Sequence, residues 1–432
     1  MDVLVLGSGG REHALAWRIG RSPSAGRVYV APGNPGTSEV GTNVALNLSD
    51  FEEITKYVKS AGIQLVVVGP ENPLADGIAD YLRGHGISTF GPGKDGARLE
   101  ASKAWAKQFM ARHDIPHPDF RTFDDLRLAE EYLRSTPGPW VVKADGLALG
   151  KGVSIVTDLD HGRAVLRDTM SGKIHGEAGK RVIIEEFLTG REISAMALCD
   201  GTSLLPLPLA KDHKTAFDGD TGPMTGGMGA YSPVPFVDAE TRELINTRIL
   251  QATLTGLRAE GIDFRGVLYA GLMLTAEGPK VLEYNVRFGD PETQCVLPRL
   301  SGDFCKLLAA CAEGSLESIM DTAQSPIVDV TPEACVSVVL ASNGYPGLYE
   351  KGMPISIEDT EDESGRGEAI RFHAGTTMKN GQLVTSGGRV LAVTALAPSV
   401  EEAAQKAYRV AQTVEFRGKT YRSDIGRLQG NH

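Results

Sequence analysis

Short apolar runs that end in glycine or proline, separated by stretches of helical spacing, fill residues 1–101 and leave few folds open. VLVLG (Val3–Gly7), VYVAPG (Val28–Gly33), LVVVGPE (Leu65–Glu71) and ISTFGP (Ile87–Pro92) read as buried strands, and Glu12–Gly20 carries apolar residues at helical spacing. Strands alternating with helices form βαβ units, whose parallel sheet is covered on both faces. Open sheets of this kind bind ligands at the carboxyl ends of their strands, where these glycines and prolines fall.

From Ser102 the pattern changes to α+β. A helix, Lys103–His113, leads through Ile115–Pro118 to strands at Trp140–Asp145, Val182–Glu186, Ile193–Leu198, Val267–Leu274 and Lys280–Asn285. The segment 326–432 is strand-rich (Val336–Leu340, Ile370–His373, Arg389–Ala395) and closes with a helix near Val400–Gln412. A chain of 432 residues exceeds one compact core. The expected division is 1–101, 102–325 and 326–432. The acidic stretch Glu358–Glu363 reads as a solvated loop.

The net charge of −11, from 44 basic and 55 acidic residues, argues against bulk nucleic-acid binding, which needs a basic face. Five scattered cysteines without a CxxC pair suggest buried free thiols in a reducing compartment. Val3–Leu6 is too short for a signal core, and no stretch approaches the roughly 20 apolar residues of a membrane span. A cytoplasmic protein is expected, with no nucleic-acid or membrane partner.

Four segments carry chemistry. The turn G-S-G-G-R-E departs from the dinucleotide fingerprint, because Glu12 replaces the third glycine and no acid ends the second strand. Gly9 and Gly10 then read either as an anion site at a helix N-terminus or as a tight structural turn. In K-A-D-G-L-A-L-G-K-G-V, a strand delivers Lys143, and a loop with Gly146, Gly150 and Gly152 carries Lys151, suited to fold over a triphosphate. In I-I-E-E-F-L-T-G-R-E, an apolar strand ends in Glu185 and Glu186; Phe187 and Leu188 suit an adenine slot, and Glu192 suits ribose hydroxyls. In L-E-Y-N-V-R-F-G-D-P-E-T-Q, alternation puts Glu283, Asn285 and Arg287 on one face, with Leu282, Tyr284 and Phe288 on the other. Two oxygen ligands beside a guanidinium suit a metal–ATP complex. Asp290 and Glu292 add polar capacity. Lys211–Lys214 and the glycine-rich Thr221–Tyr231 read as substrate loops, the second as a lid.

With these motifs in view, the chain resembles the phosphoribosylamine–glycine ligase (glycinamide ribonucleotide synthetase) family of the ATP-grasp superfamily. GSGGREHALAW, APGNPGT, VVGPENPLADGI, KADGLALGKGV, IEEFLTGREIS, KDHK, LEYNVRFGDPETQ, FHAGT and SGGRVL occur in the family's order, so the resemblance runs nearly end to end. It implies an N-terminal preATP-grasp α/β domain, a central ATP-grasp fold with a mobile subdomain near 118–190, and a C-terminal strand-rich α+β domain. It implies that ATP phosphorylates glycine to glycyl phosphate, which phosphoribosylamine then attacks.

By motif, the resemblance makes Glu283 and Asn285 ligands for Mg²⁺ or Mn²⁺, and Arg287 the stabiliser of the transferred phosphoryl group. Lys103, Lys143, Gly150, Lys151 and Gly152 contact the nucleotide, and Glu185, Glu186, Phe187, Leu188 and Glu192 form the adenosine pocket. Asp212, His213, Lys214 and Asp290, with Thr225, Gly226 and Gly227, take glycine and phosphoribosylamine, Asp212 and Asp290 as catalytic groups. Gly9, Gly10 and Arg11 hold the ribose phosphate.

The chain departs from the pattern at Met224 and Cys295, and Ala270–Met273 offers no second metal-binding acid. A carboxylase or another purine-pathway ligase is the near alternative, a nicotinamide oxidoreductase the distant one. A fused further enzyme is not expected, and transient hand-over of phosphoribosylamine from the enzyme that makes it is an expected partnership.

Overall fold

The computed structural model describes residues 1–147, 152–172, 176–320, 327–358 and 369–427. Strands β1 (Val3–Gly7), β2 (Val28–Pro32), β3 (Thr42–Asn43), β4 (Leu65–Val68) and β5 (Ser88–Phe90) form a parallel sheet in the order β3-β2-β1-β4-β5. Every residue of β1 and β4 is buried, as unalternating apolar runs require in a sheet covered on both faces. Strand order reverses between β1 and β4, which places the ligand crevice of such sheets above their carboxyl ends.

A four-stranded antiparallel sheet follows, β6 (Phe120–Phe123), β7 (Trp140–Ala144), β8 (Val153–Val156) and β9 (Val182–Glu186), in the order β6-β9-β7-β8. It has its own small core, in which Trp140, Val142 and Ile184 pack on Leu133 and Leu166 from two covering helices. The next strands are β10 (Arg191–Asp200), β11 (Leu204–Pro206), β12 (Lys211–Asp212), β13 (Thr215–Phe217), β14 (Thr221–Met224), β15 (Gly229–Ser232), β16 (Arg265–Thr275) and β17 (Gly278–Asn285). Of these, β11-β10-β16-β17 make a second antiparallel sheet facing the first across a cleft.

β12 and β15 instead join the C-terminal strands β18 (Ala334–Ser342), β19 (Ile370–His373) and β20 (Arg389–Ala397) in the order β12-β15-β18-β20-β19. The middle of the chain therefore contributes two strands to the C-terminal sheet. The helix Val400–Gln412 lays Ala403, Ala407 and Val410 on that sheet and is capped by Ser399 Oγ, which accepts from the Glu402 N–H at 3.2 Å. All five cysteines are buried and free. Among the described residues no helix is long and apolar enough to cross a membrane. The acidic stretch read as a loop lies, beyond Glu358, outside the described residues.

The N-terminal unit is tied to the C-terminal sheet by two buried histidines. His13, on the helix Gly10–Ile19, accepts the backbone N–H of His373 on its Nδ1 at 2.9 Å, which requires a neutral ring. Burial, then the neighbouring His373, pushes His13 down to about 3; burial, then Arg371, pushes His373 down to about 4. Both folded values lie below the ordinary 6.5, so as pH falls the unfolded chain takes up these protons first. Stability is full above pH 6.5 and is lost as pH falls toward 4. Each ring is expected to cost about 2 kcal/mol by pH 5. Urea unfolding at pH 7 and pH 5 checks this: His13→Gln should lose less stability over that interval than the parent.

Candidate active site

The cleft between the two antiparallel sheets and the C-terminal sheet encloses a cavity of about 1440 Å³. Its floor is the end of β17. Glu283, Asn285 and Arg287 all line it, while Tyr284 and Val286 point into the core. The expected alternation fails at one place. Gly271 pairs with Glu283 but Leu272 pairs with Val281, so Leu282 is an extra, bulged residue. Leu282 therefore lines the cavity instead of packing on the far side with Tyr284 and Phe288, and its carbonyl accepts from Lys143 Nζ at 3.0 Å. Gly271, in the Ala270–Met273 stretch without an acid, faces Glu283: a Cβ there would lie 3.3 Å from the Glu283 side chain, which would have to give way to any larger residue.

Arg287 is held from behind. Its Nη2 lies 3.0 Å from Glu100 Oε1, its Nε 3.3 Å from Glu71, and Nη2 donates to Asn285 Oδ1 at 2.9 Å. Burial alone would lower its pKa; Glu100 and Glu71 outweigh that and raise it, so the guanidinium stays charged. Glu283 is ringed by ammonium groups. Burial would raise its carboxyl, but Lys214, Lys143 and Lys103 hold it down at about 2.

Glu283 and Asn285 thus offer an ionised carboxylate and an amide oxygen, hard donors of the kind Mg²⁺ or Mn²⁺ prefers. Among the described residues no group of three His, Cys, Asp or Glu forms a metal cage. The pair fits an ion that completes its shell from water and substrate phosphates, the usual habit of Mg²⁺.

Lys103 and Lys143 line the same cavity. Lys103 Nζ donates to Gly146 O at 2.8 Å. Lys143 Nζ lies 2.9 Å from Glu185 Oε2, and Lys107 Nζ shares that oxygen at 3.3 Å. Glu185 Oε2 is thus clamped between two lysines, while its Oε1 is buried without a partner. Burial lowers Lys107 to about 8 against the opposing pull of Glu185. The sequence reading missed Lys107, although its i, i+4 spacing from Lys103 puts both on one helix face. Glu186, Phe187, Leu188 and Gly152 line the cavity. Glu192, half-buried, pairs with Lys214 at 3.4 Å. Gly150 and Lys151 lie outside the described residues.

The substrate loops meet this floor from the C-terminal side. Lys214 bridges Glu192 and Glu283, each at 3.4 Å. Burial and then the charge of Glu292 push the Asp212 carboxyl well above its ordinary value, and its Oδ1 is buried with no partner. Burial holds His213 neutral, at about 4. Glu292, which accepts from Tyr269 and, at 2.9 Å, from Ser194, also lines the cavity.

Several of the expected substrate residues also make hydrogen bonds within the protein. Thr225 Oγ1 donates to Lys214 O at 2.8 Å and accepts from the Gly227 N–H at 2.9 Å. Gly226 lines the cavity, but its N–H donates to Tyr345 and its carbonyl accepts from Arg389. Asp290 accepts from the Arg11 N–H at 3.1 Å and from Gln294 at 2.9 Å, and pairs with Arg389 at 3.3 Å. Arg389 and Tyr345 were missed; SGGRVL was noted in the sequence, but nothing local shows that its arginine reaches this cleft.

Gly227 is required by space: φ is +109°, and a Cβ would meet Pro291 Cδ at 2.3 Å and Asp212 Oδ1 at 2.8 Å. Gly227→Ala is expected to cost about 2–4 kcal/mol in urea unfolding and to lower kcat by displacing Asp212.

The first glycine turn is not an open anion site. The Glu12 side chain fills the crevice above β1 and β4. A Cβ on Gly7 would lie 2.5 Å from its Cγ, and one on Gly69 2.2 Å from its Oε1, while the Gly9 N–H donates to its Oε2 at 2.6 Å. Gly10 is closed off by Gln294, 2.6 Å from its Cβ position. Gly9 and Gly10 do not line the cavity. Arg11 lines the cavity, but its Nε donates to Glu12 at 2.6 Å and its Nη1 to Phe288 O at 3.1 Å.

A cationic wall on one antiparallel sheet, facing an acid–amide–arginine edge on the next, defines the class of the ATP-grasp enzymes. Family models for phosphoribosylglycinamide synthetase match in three parts: the N domain over 1–100, the ATP-grasp (A) domain over 101–293 and the C domain over 335–428. The phosphoribosylamine–glycine ligase of Rhizobium meliloti is 47% identical over 426 residues, covering 99% of this chain and 98% of that protein. The crystal structure of the Thermotoga maritima phosphoribosylamine–glycine ligase superposes with a TM-score of 0.85 at 36% identity, covering 98% of this chain and 100% of that one. The biotin carboxylase domain of Hydrogenobacter thermophilus 2-oxoglutarate carboxylase shares the fold at 15% identity, with a TM-score of 0.72 over 97% of this chain and 91% of that one. The chain belongs to the phosphoribosylglycinamide synthetase family. Its activity is the ATP-dependent, ADP-forming ligation of glycine to phosphoribosylamine, giving glycinamide ribonucleotide in purine biosynthesis.

Proposed function

We propose that this cavity carries out the ligation through glycyl phosphate, with roles divided along its walls. The supporting observation is that one cavity gathers the lysine wall, the Glu283–Asn285–Arg287 edge and the Asp212–Lys214 loop. Lys103 and Lys143 offset the triphosphate charge, and the unpaired Glu185 Oε1 faces the amino edge of the base. Phe187 and Leu188 flank the ring. Arg287, kept charged by Glu71 and Glu100, stabilises the phosphoryl group in flight. Mg²⁺ or Mn²⁺ at Glu283 and Asn285 supplies further neutralisation of the phosphates.

A glycine carboxylate oxygen attacks the γ-phosphorus, and the bond to ADP breaks. The phosphoribosylamine nitrogen then attacks the acyl carbon; the carbon–oxygen bond breaks, phosphate leaves, and the nitrogen gives up a proton. Asp212, with its unsatisfied Oδ1, takes the amine or its proton, and Lys214 orients the glycine carboxylate. Asp290 acts as a brace for Arg389. Three units, 1–101, 102–325 and 326–432, close on the substrates by movement of 118–190. We place the enzyme in the cytoplasm, with phosphoribosylamine handed over by the enzyme that makes it.

Glycine labelled with ¹⁸O in its carboxylate tests the intermediate. One labelled oxygen per turnover should appear in the released phosphate. Phosphate free of label would exclude glycyl phosphate.

A further inference from the structure

The ribbon β13–β14 follows directly on Lys214 and runs into Thr225, so it joins the two substrate loops. It has little packing of its own. Its register is irregular, Phe217 is 59% exposed, and a two-stranded ribbon is marginal in isolation. Cavities lie on both faces: the active-site cleft on one, and on the other a cavity of about 1000 Å³ lined by Ala216, Phe217 and Pro223.

What holds the ribbon is the C-terminal segment Arg422–Asp424. Arg422 is only 1% exposed and spends its guanidinium on both partners. Nη1 donates to Thr215 Oγ1 at 2.8 Å and to Asp220 at 2.9 Å, while Nε and Nη2 grip Asp424 at 2.7 Å each. Asp424 Oδ2 in turn accepts from the Gly219 N–H at 2.9 Å. The Ser423 N–H donates to Asp218 Oδ1 at 2.8 Å, and its hydroxyl donates to the other oxygen of Asp218. Every residue of the ribbon's tip, Asp218 to Asp220, is thus tied to this one segment, and the arginine fork on a carboxylate fixes direction as well as distance.

We propose that Arg422, Ser423 and Asp424 are positioning residues that hold the β13–β14 ribbon as the wall shielding the acyl phosphate from water, and so keep ATP consumption coupled to product. This rests on the glycyl phosphate reading. With the wall displaced, water attacks the acyl carbon, the carbon–oxygen bond breaks, and glycine and phosphate are released. ADP then accumulates without glycinamide ribonucleotide. The lysine wall lies across the cleft, so nucleotide binding is untouched.

The test measures ADP and glycinamide ribonucleotide together in the full-length enzyme and in Arg422→Ala and Asp218→Ala, with KM for each substrate. Asp218 lies on the exposed tip, so its variant decides the matter if Arg422→Ala does not fold. ADP formed per product is expected to rise several-fold, to about three or more. KM for phosphoribosylamine should rise about tenfold, with KM for ATP within about twofold. A ratio that stays at one with unchanged KM values overturns the proposal, as does a KM for ATP that rises in step with the others. The ¹⁸O experiment on the parent enzyme separates the two failures. Unlabelled phosphate there sinks the intermediate itself, whereas labelled phosphate with fully coupled variants sinks only the role of the clasp.

Discussion

Arg287→Ala is expected to lower kcat about a thousandfold while ATP still binds with little change. The guanidinium lies just past the end of β17, on the face that carries Glu283 and Asn285, which is where the proposed mechanism puts the transferred phosphoryl group. An interaction made mainly in the transition state lowers kcat and kcat/KM together when it is removed. The structure adds a second effect. Glu71 and Glu100 both pair with Arg287, and removing one partner of a buried pair typically costs about 3–5 kcal/mol. The single variant should therefore also be less stable, and Glu100→Gln in the same chain should restore much of that loss without restoring turnover. Isothermal titration with ATP, steady-state kinetics and urea unfolding read the three quantities separately. Near-normal kcat in Arg287→Ala would remove the arginine from the chemistry.

Glu283→Gln is expected to have the second largest effect. The carboxylate is the anionic centre of three ammonium groups, whose charges outweigh its burial and leave it ionised with its pKa at about 2. The amide keeps the shape and loses the charge. A metal held by only two protein oxygens should then need about tenfold more cation for half-maximal activity, with kcat down about a hundredfold. Titration of activity with Mg²⁺ and with Mn²⁺ measures both. An unchanged metal requirement would show that the cation is held elsewhere in the cleft.

What the sequence made legible follows from physics that is local. Apolar runs gave β1, β2, β4 and β5, and the helix Val400–Gln412 matches its expected bounds, because its Ser399 cap and apolar stripe are written in adjacent residues. The parallel N-terminal α/β sheet, the ATP-grasp core and the strand-rich C-terminal region agree with the expected fold class. Most of the expected site residues share one cavity, and within β17 the alternation of Glu283 and Asn285 is local to the strand.

The exceptions arise from contacts distant in sequence. The bulge at Leu282 depends on the partner strand's register, which β17 alone cannot specify. Glu12 was read as a flaw in a dinucleotide turn; that it fills the crevice against Gly7 and Gly69 depends on a strand more than fifty residues away. Glu71, Glu100 and Arg389 come from three separate regions and converge only in the folded chain. Asp290 and Thr225 line the cavity, but their hydrogen bonds turn inward, to partners that lie elsewhere in the chain.

The most direct measurement is ADP release with ATP, Mg²⁺ and glycine, with phosphoribosylamine generated in place from ribose 5-phosphate and ammonia and the product followed by mass. ADP and glycinamide ribonucleotide should appear in equal amounts, and only when both glycine and phosphoribosylamine are present. ADP released equally well without glycine, or with bicarbonate in its place, would contradict the assignment of this cavity to glycine ligation.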